Sequence, residues 1–186
     1  MNKLMGRWRL NKEKTSSQKS LLVSLLKPAW QVQCVDWTQE ELCLLVFTKN
    51  GKNRFVKDVR VYVDTAVFGK LRYIMPDRIR EISFQSTLIA DGLVHSHGPD
   101  KKEFGNCETI TTCDHSKKTF CTEWDLIEKG RRLVVTHRLL SPEVLKITIE
   151  CWEKPPGNKL LSTTSKVYDR VTMQIADISL LRSLKH

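Results

Sequence analysis

Hydrophobic and polar residues alternate along most of this chain, which is the pattern of β-strands with one buried face. In the clearest run, Leu145, Ile147, Ile149 and Cys151 alternate with polar or amphipathic neighbours. Turn signals such as Asn50-Gly51 and Pro155-Pro156-Gly157 separate the runs at short intervals. The second half of the chain predicts strands over Glu108–Cys113, Thr119–Asp125, Arg132–Leu140, Leu145–Trp152 and Lys159–Val171.

The first half predicts further strands, beginning with Leu4–Leu10, in which Gly6 and Trp8 lie on one face. Two strands, Leu42–Phe47 and Arg54–Asp64, follow on either side of the turn at Asn50-Gly51. Shorter runs come next at Lys70–Ile74, Arg78–Gln85, Thr87–Ile89 and Leu93–His97. About ten strands joined as hairpins are enough to curl and close on themselves. We therefore expect a mainly β fold, an antiparallel up-and-down β-barrel of about ten strands in a single domain over residues 1–172, with a C-terminal tail over 173–186.

One segment departs from the alternation. Leu21, Leu22, Leu25 and Leu26 recur at helical spacing after the capping residues Thr15–Ser17, and Pro28 ends the run. This pattern predicts a short helix after the first strand, within a helical lid over about residues 16–37.

Composition places the 186-residue chain among folded globular proteins, because 40% of its residues are hydrophobic and 28% are charged. Its apolar runs, such as Leu21–Leu26 and Leu42–Phe47, are far shorter than the roughly 20 residues that cross a bilayer. The first ten residues lack the apolar stretch of a secretory signal. We therefore expect a cytoplasmic protein, with its six cysteines as free thiols.

The net positive charge adds anionic molecules to the candidate partners. The chain has 31 basic and 21 acidic residues, and half of the resulting excess of +10 lies within residues 1–20. Such a balance favours anionic partners. A basic module that binds nucleic acid or a partner protein is therefore an alternative function, although no nucleic-acid-binding motif is present. Basic residues near the predicted helix, Lys14, Lys19 and Lys27, would also suit transient contact with an anionic membrane surface.

The order of these features resembles the intracellular lipid-binding proteins, which include the fatty-acid-binding and cellular retinoid-binding proteins of the lipocalin-like (calycin) group. The resemblance is carried by Gly6-Arg7-Trp8 in the first strand, the leucine-rich segment Ser20–Leu26, Asn50-Gly51, and Lys166-Val167-Tyr168 in the last strand. The chain is longer than most members of that family. The resemblance implies non-catalytic binding or transport of a small hydrophobic, anionic ligand such as a fatty acid, by a monomer without a cofactor.

The resemblance also suggests which residues would contact the ligand. In the family, an Arg-x-Tyr pair on the last strand holds the ligand carboxylate, and Lys166 and Tyr168 occupy those positions here. A second basic group on an earlier strand would be Arg138 or His137, which face opposite ways, and we favour Arg138. The complete expected set is Lys166, Tyr168, Arg138, Trp8, Leu22, Leu25 and Leu26.

The sequence gives less support to a metal site or to catalysis. Cys107, Cys113, His115 and Cys121 lack the spacing of the usual zinc sites, so no metal site is expected. The chain contains no glycine-rich phosphate loop and no G-x-S-x-G motif. An enzyme that uses the barrel cavity is the less favoured alternative.

Overall fold

A computed structural model describes residues 4–25, 42–49, 54–62, 81–97, 105–114, 116 and 118–171. Within them, one α-helix, α1, covers Lys19–Ser24, and a short 3-10 helix covers Ile127–Lys129. The strands are β1 Gly6–Asn11, β2 Leu42–Lys49, β3 Arg54–Tyr62, β4 Glu81–Ile89, β5 Val94–His97, β6 Cys107–Asp114, β7 Thr119–Leu126, β8 Arg131–Ser141, β9 Val144–Glu153 and β10 Leu160–Val171. No helix in these ranges is long and apolar enough to span a lipid bilayer.

The mainly β architecture and the helix after the first strand are as predicted. One strand boundary was wrong, because the described part of the run Arg78–Gln85, from Glu81 onwards, and the run Thr87–Ile89 belong to the single strand β4. Ser86 does not break that strand, since its backbone stays in register opposite Lys57. The predicted strand Lys70–Ile74, the turn Asn50-Gly51 and the tail 173–186 lie outside the described residues.

All ten strands form one antiparallel sheet in the order β4-β3-β2-β1-β10-β9-β8-β7-β6-β5. Strands that follow each other in sequence are neighbours in the sheet, except β4 and β5. In addition β1 pairs with β10, where Leu10 lies opposite Tyr168. The pairing of first and last strands joins the two halves of the chain into a continuous sheet. In the described residues β4 and β5 form the two edges of that sheet, without a ladder between them.

The sheet curls around a common interior. Phe55 on β3 and Phe120 on β7 meet edge to face with ring centroids 5.7 Å apart, although their strands are far apart in the sheet order. Leu88 on β4 belongs to the same buried cluster as Leu139 on β8. Such contacts require the two ends of the sheet to face each other, which gives the barrel shape expected from the sequence.

Two groups of buried side chains fill this interior. The Trp8 cluster comprises Leu4, Trp8, Leu10, Phe55, Leu88, Phe120, Leu139, Leu145, Ile147 and Tyr168. The lid cluster comprises Leu21, Leu25, Cys107, Leu126, Leu133 and Cys151. Ile149 packs against both, so the two clusters occupy successive levels of one interior.

Trp8 anchors one end of the barrel. Its side chain is fully buried, and its indole N–H donates to the Leu4 carbonyl at 3.0 Å. The guanidinium of Arg170 lies 4.1 Å from the ring centroid and donates to the Met5 carbonyl at 3.0 Å. Gly6 has a φ of +124°, and a Cβ there would lie 2.9 Å from Arg170. The Gly-x-Trp pattern therefore gives the Arg170 side chain room to cover the tryptophan.

Helix α1 covers the other end of the barrel. Two hydroxyl groups bind the segment between β1 and the helix to β10. The Thr15 side chain accepts from the Val167 N–H at 3.1 Å, and the Ser16 side chain accepts from the Ser165 N–H at 2.7 Å. Arg131 then donates to the Ser24 carbonyl at the end of the helix, at 3.2 Å. These bonds fix the helix over the lid cluster.

Replacement of Gly6 tests the packing of Arg170 against Trp8. Gly6→Ala should lower the free energy of unfolding by about 3 kcal/mol, because alanine is strained at this φ and its methyl group would displace the Arg170 guanidinium from the Trp8 ring. Gly92→Ala is the matched control: Gly92 also has positive φ, but a Cβ there has open space, so its loss should be about 1 kcal/mol. Urea unfolding of both variants gives the comparison, and equal losses would contradict the role assigned to Arg170.

Candidate functional site

The register of the strands determines which side chains share the inner face. Residues directly opposite each other in a sheet point to the same side. Phe120, His137, Ile147 and Lys166 form one such row across β7, β8, β9 and β10. Phe120 and Ile147 belong to the Trp8 cluster, so the whole row faces the interior.

Lys166 and Tyr168 lie on this inner face, as the sequence predicted. Tyr168 is 2% exposed and belongs to the Trp8 cluster, with Leu10 and Leu145 as its cross-strand neighbours. Lys166 is half-buried, opposite Ile147. The interior therefore receives a primary amine and a phenol from the same strand, two residues apart.

The prediction that Arg138 points inward was wrong. Arg138 is exposed, whereas His137 is 1% exposed. The buried residues Leu133 and Leu139 fix the odd-numbered positions of β8 on the inner face, so Arg138 keeps its charge in water. The second basic group facing the interior from β8 is thus an imidazole.

Lys57 is a further inward-facing basic group, which sequence reasoning missed. It lies two residues from the buried Phe55 on β3, and its Nζ is 3.5 Å from Nε2 of His137. Burial lowers the pKa of His137 well below 6.5, and the positive charge of Lys57 lowers it further. The imidazole is therefore neutral, so its Nε2 accepts a hydrogen bond from the ammonium group of Lys57.

The remaining residues that were expected to contact the ligand lie in different surroundings. Trp8 is fully buried and its N–H is already bonded to Leu4. On α1, Leu22 is half-buried, and Leu25, just after the helix, is 4% exposed within the lid cluster. Leu26 lies outside the described residues. A binding role for any of these residues stays a prediction.

The described cysteines are not joined in disulfide bonds: Cys107, Cys113, Cys121 and Cys151 are all present as thiols. Within the described ranges, no group of three or more His, Cys, Asp or Glu side chains is arranged to hold a metal ion. His115 lies outside those ranges.

The pH dependence of stability tests the burial of His137. The unfolded chain binds a proton at His137 below about pH 6.5, whereas the folded protein does not. The free energy of unfolding should therefore be greatest above that pH. Below it, this free energy should fall by up to about 1.4 kcal/mol per pH unit. His137→Gln should flatten this slope in urea unfolding, whereas the control His95→Gln, at a partly exposed histidine, should retain it. Equal slopes in the wild type and His137→Gln would contradict the assignment.

Sequence comparison identifies no matching family model and no matching curated protein. Solved structures do resemble the chain. Fatty-acid-binding protein 1 of Echinococcus granulosus superposes with a TM-score of 0.61 at 11% identity, covering 92% of this chain and 100% of that one. Secretory abundant heat soluble protein 4 of Ramazzottius varieornatus has a TM-score of 0.58 at 13% identity, covering 90% and 94%.

The wild-type fluorescent protein UnaG gives a similar superposition, with a TM-score of 0.57 at 10% identity, covering 91% of this chain and 98% of that one. These identities are too low to assign a family, but the superpositions extend over almost the full length of each protein. The chain therefore has the fold of the fatty-acid-binding proteins, a β-barrel with a helical lid.

Proposed function

We propose that this protein binds a small hydrophobic ligand with an anionic group, such as a fatty acid, inside the barrel. The main observation in support is that Lys57, Lys166 and Tyr168 face the same interior as the apolar Trp8 cluster and the neutral imidazole of His137. The fold likeness to a protein named for fatty-acid binding supports the same proposal.

The electrostatics favour an anion over a neutral ligand. Ammonium groups in a region of low dielectric attract an anion more strongly than they would in water. A hydrogen bond from an ammonium group to a carboxylate is charge-assisted, and a phenol can donate a second one. Because His137 accepts from Lys57, it fixes the direction of that amine without adding a charge.

The apolar part of the ligand would lie against the lid cluster. Leu21 and Leu25 turn inward from the helical segment, while Val23 is exposed on its other side. Movement of this short helix would open a route into the barrel. Nothing in this scheme requires a covalent step, so we propose a non-catalytic carrier in the cytoplasm.

Substitution of Lys166 tests the proposed anion site. Lys166→Met retains the apolar stem and removes the charge, and it should weaken binding of a fluorescent fatty acid about tenfold. Binding of the methyl ester of the same probe should not change, because the ester has no charge. Tyr168→Phe should weaken acid binding about threefold, through the loss of one hydrogen bond. Fluorescence titration measures all of these affinities.

Arg138→Met is the matched control for this experiment. It removes a positive charge from the same end of the sheet but from the outer face, so the affinity for the acid should stay at the wild-type value. The proposed site is wrong if Arg138→Met weakens acid binding as much as Lys166→Met. Absence of binding to either probe by delipidated wild-type protein would contradict the proposed function itself.

A second candidate function rests on the outer face. Arg138 and Lys146 are directly opposite each other on β8 and β9. Neither takes part in an ion pair with any residue that the structure describes. Like charges in this position repel each other, and a phosphate backbone would relieve that repulsion. This pair favours the alternative of a surface that binds nucleic acid.

Salt dependence distinguishes the second candidate from the first. Affinity for a single-stranded RNA oligonucleotide should fall steeply with ionic strength. The double variant Arg138→Gln, Lys146→Gln should weaken it at low salt in fluorescence anisotropy, whereas Lys166→Met should not. Affinity that is independent of salt and of the outer pair would exclude this candidate.

A further inference from the structure

A band of buried hydroxyl groups crosses the inner face near the lid cluster. Thr122 is 0% exposed, Thr111 3%, Thr164 3%, Thr109 8% and Ser162 9%. All five lie on strands that also contribute to the apolar clusters. Buried hydroxyl groups in proteins generally have hydrogen-bond partners, so the partners of each member of this band are informative.

Four of the five hydroxyl groups have partners within the fold. Thr111 donates to Thr122 at 3.2 Å, and Thr109 donates to the His95 carbonyl at 3.4 Å. Thr164 donates to the Ser17 carbonyl at 3.0 Å and lies 2.8 Å from the Ser16 hydroxyl. Among the described residues, the side chain of Ser162 has no hydrogen-bond partner.

A β-bulge determines where Ser162 points. The register of β10 against β9 shifts between Leu160 and Ser162, so Ser162 lies opposite Cys151. Cys151 is fully buried in the lid cluster. Because cross-strand neighbours share a face, Ser162 directs its hydroxyl towards the interior beneath the helix. Bulges commonly reorient a side chain near a functional site.

Ser162 also lies on the same strand face as the proposed anion site. At about 3.3 Å per residue, four residues separate Ser162 from Lys166 by about 13 Å, and six separate it from Tyr168 by about 20 Å. A ligand whose anionic group is bound by Lys166 and Tyr168 would therefore extend its chain past Ser162.

We propose that Ser162 forms a polar subsite for an oxygen atom on the ligand chain, so that the preferred ligand is an oxygenated lipid: a long-chain acid with a hydroxyl or keto group remote from its carboxylate. This inference rests on the proposed function. The Ser162 hydroxyl would donate to the ligand oxygen, which supplies a partner that none of the described residues provides. An unsubstituted chain would leave the hydroxyl buried against methylene groups.

A comparison of matched acids tests this proposal. Palmitic acid, ω-hydroxypalmitic acid and a mid-chain hydroxypalmitic acid are titrated against delipidated protein by calorimetry. The wild type should bind one of the hydroxy acids about three- to tenfold more tightly than palmitic acid, the value of one net hydrogen bond. Ser162→Ala should remove this preference and should not weaken binding of palmitic acid.

Thr163→Ala is the matched control, since Thr163 is the adjacent exposed hydroxyl residue of β10, and it should keep the preference. Equal affinity of the wild type for all three acids, or a preference that survives Ser162→Ala, would overturn the subsite and leave the proposed function standing. If none of the acids binds, the proposed function fails as well. Thermal unfolding of ligand-free Ser162→Ala checks its folding, and its midpoint should equal or exceed that of the wild type.

Discussion

The pairing of β1 with β10 is the constraint on which the rest of the structure depends. Without it, β1–β4 and β5–β10 would be two separate antiparallel meanders. The pairing places Leu10 opposite Tyr168 and Trp8 opposite Arg170, so the Trp8 cluster is assembled from both ends of the chain. It also brings Thr15 and Ser16 onto β10, and these hydroxyl groups fix the start of the segment that becomes the lid helix.

The curled sheet creates an interior that is neither wholly apolar nor a polar channel. Its two clusters supply the apolar burial that stabilises the fold. Lys57, His137, Lys166 and Tyr168 lie on the same inner face, where removal from water disfavours charge. His137 responds by remaining neutral. A fold selected for stability alone would have aliphatic residues in these positions, and their polar character is what points to a ligand.

Local pattern was sufficient for most of the fold, because alternation reports directly on which strand face is buried. Alternation also predicts which residue of β8 faces the interior. Every second residue from Leu133 includes His137 and Leu139, and leaves Arg138 on the outer face. Arg138 was expected to point inward because the family that the chain resembles has an arginine in its ligand site. Lys57 could not be found in this way, because its contact with His137 joins residues 80 positions apart and exists only once the sheet has curled. The unpartnered hydroxyl of Ser162 depends in turn on a bulge, which alternation does not reveal.

The position of β10 between β1 and β9 also has a consequence for biosynthesis. Contacts between residues such as Arg7 and Val171 span almost the whole described chain, and non-local contacts of this kind slow folding. While the protein is being made, the hairpins of the first half have no β10 to pair with, and the apolar face of β1 has no Arg170 to cover Trp8. The nascent chain therefore exposes an unpaired edge of β1 until residues 160–171 have been synthesised, and an edge of this kind can pair with other chains in that interval.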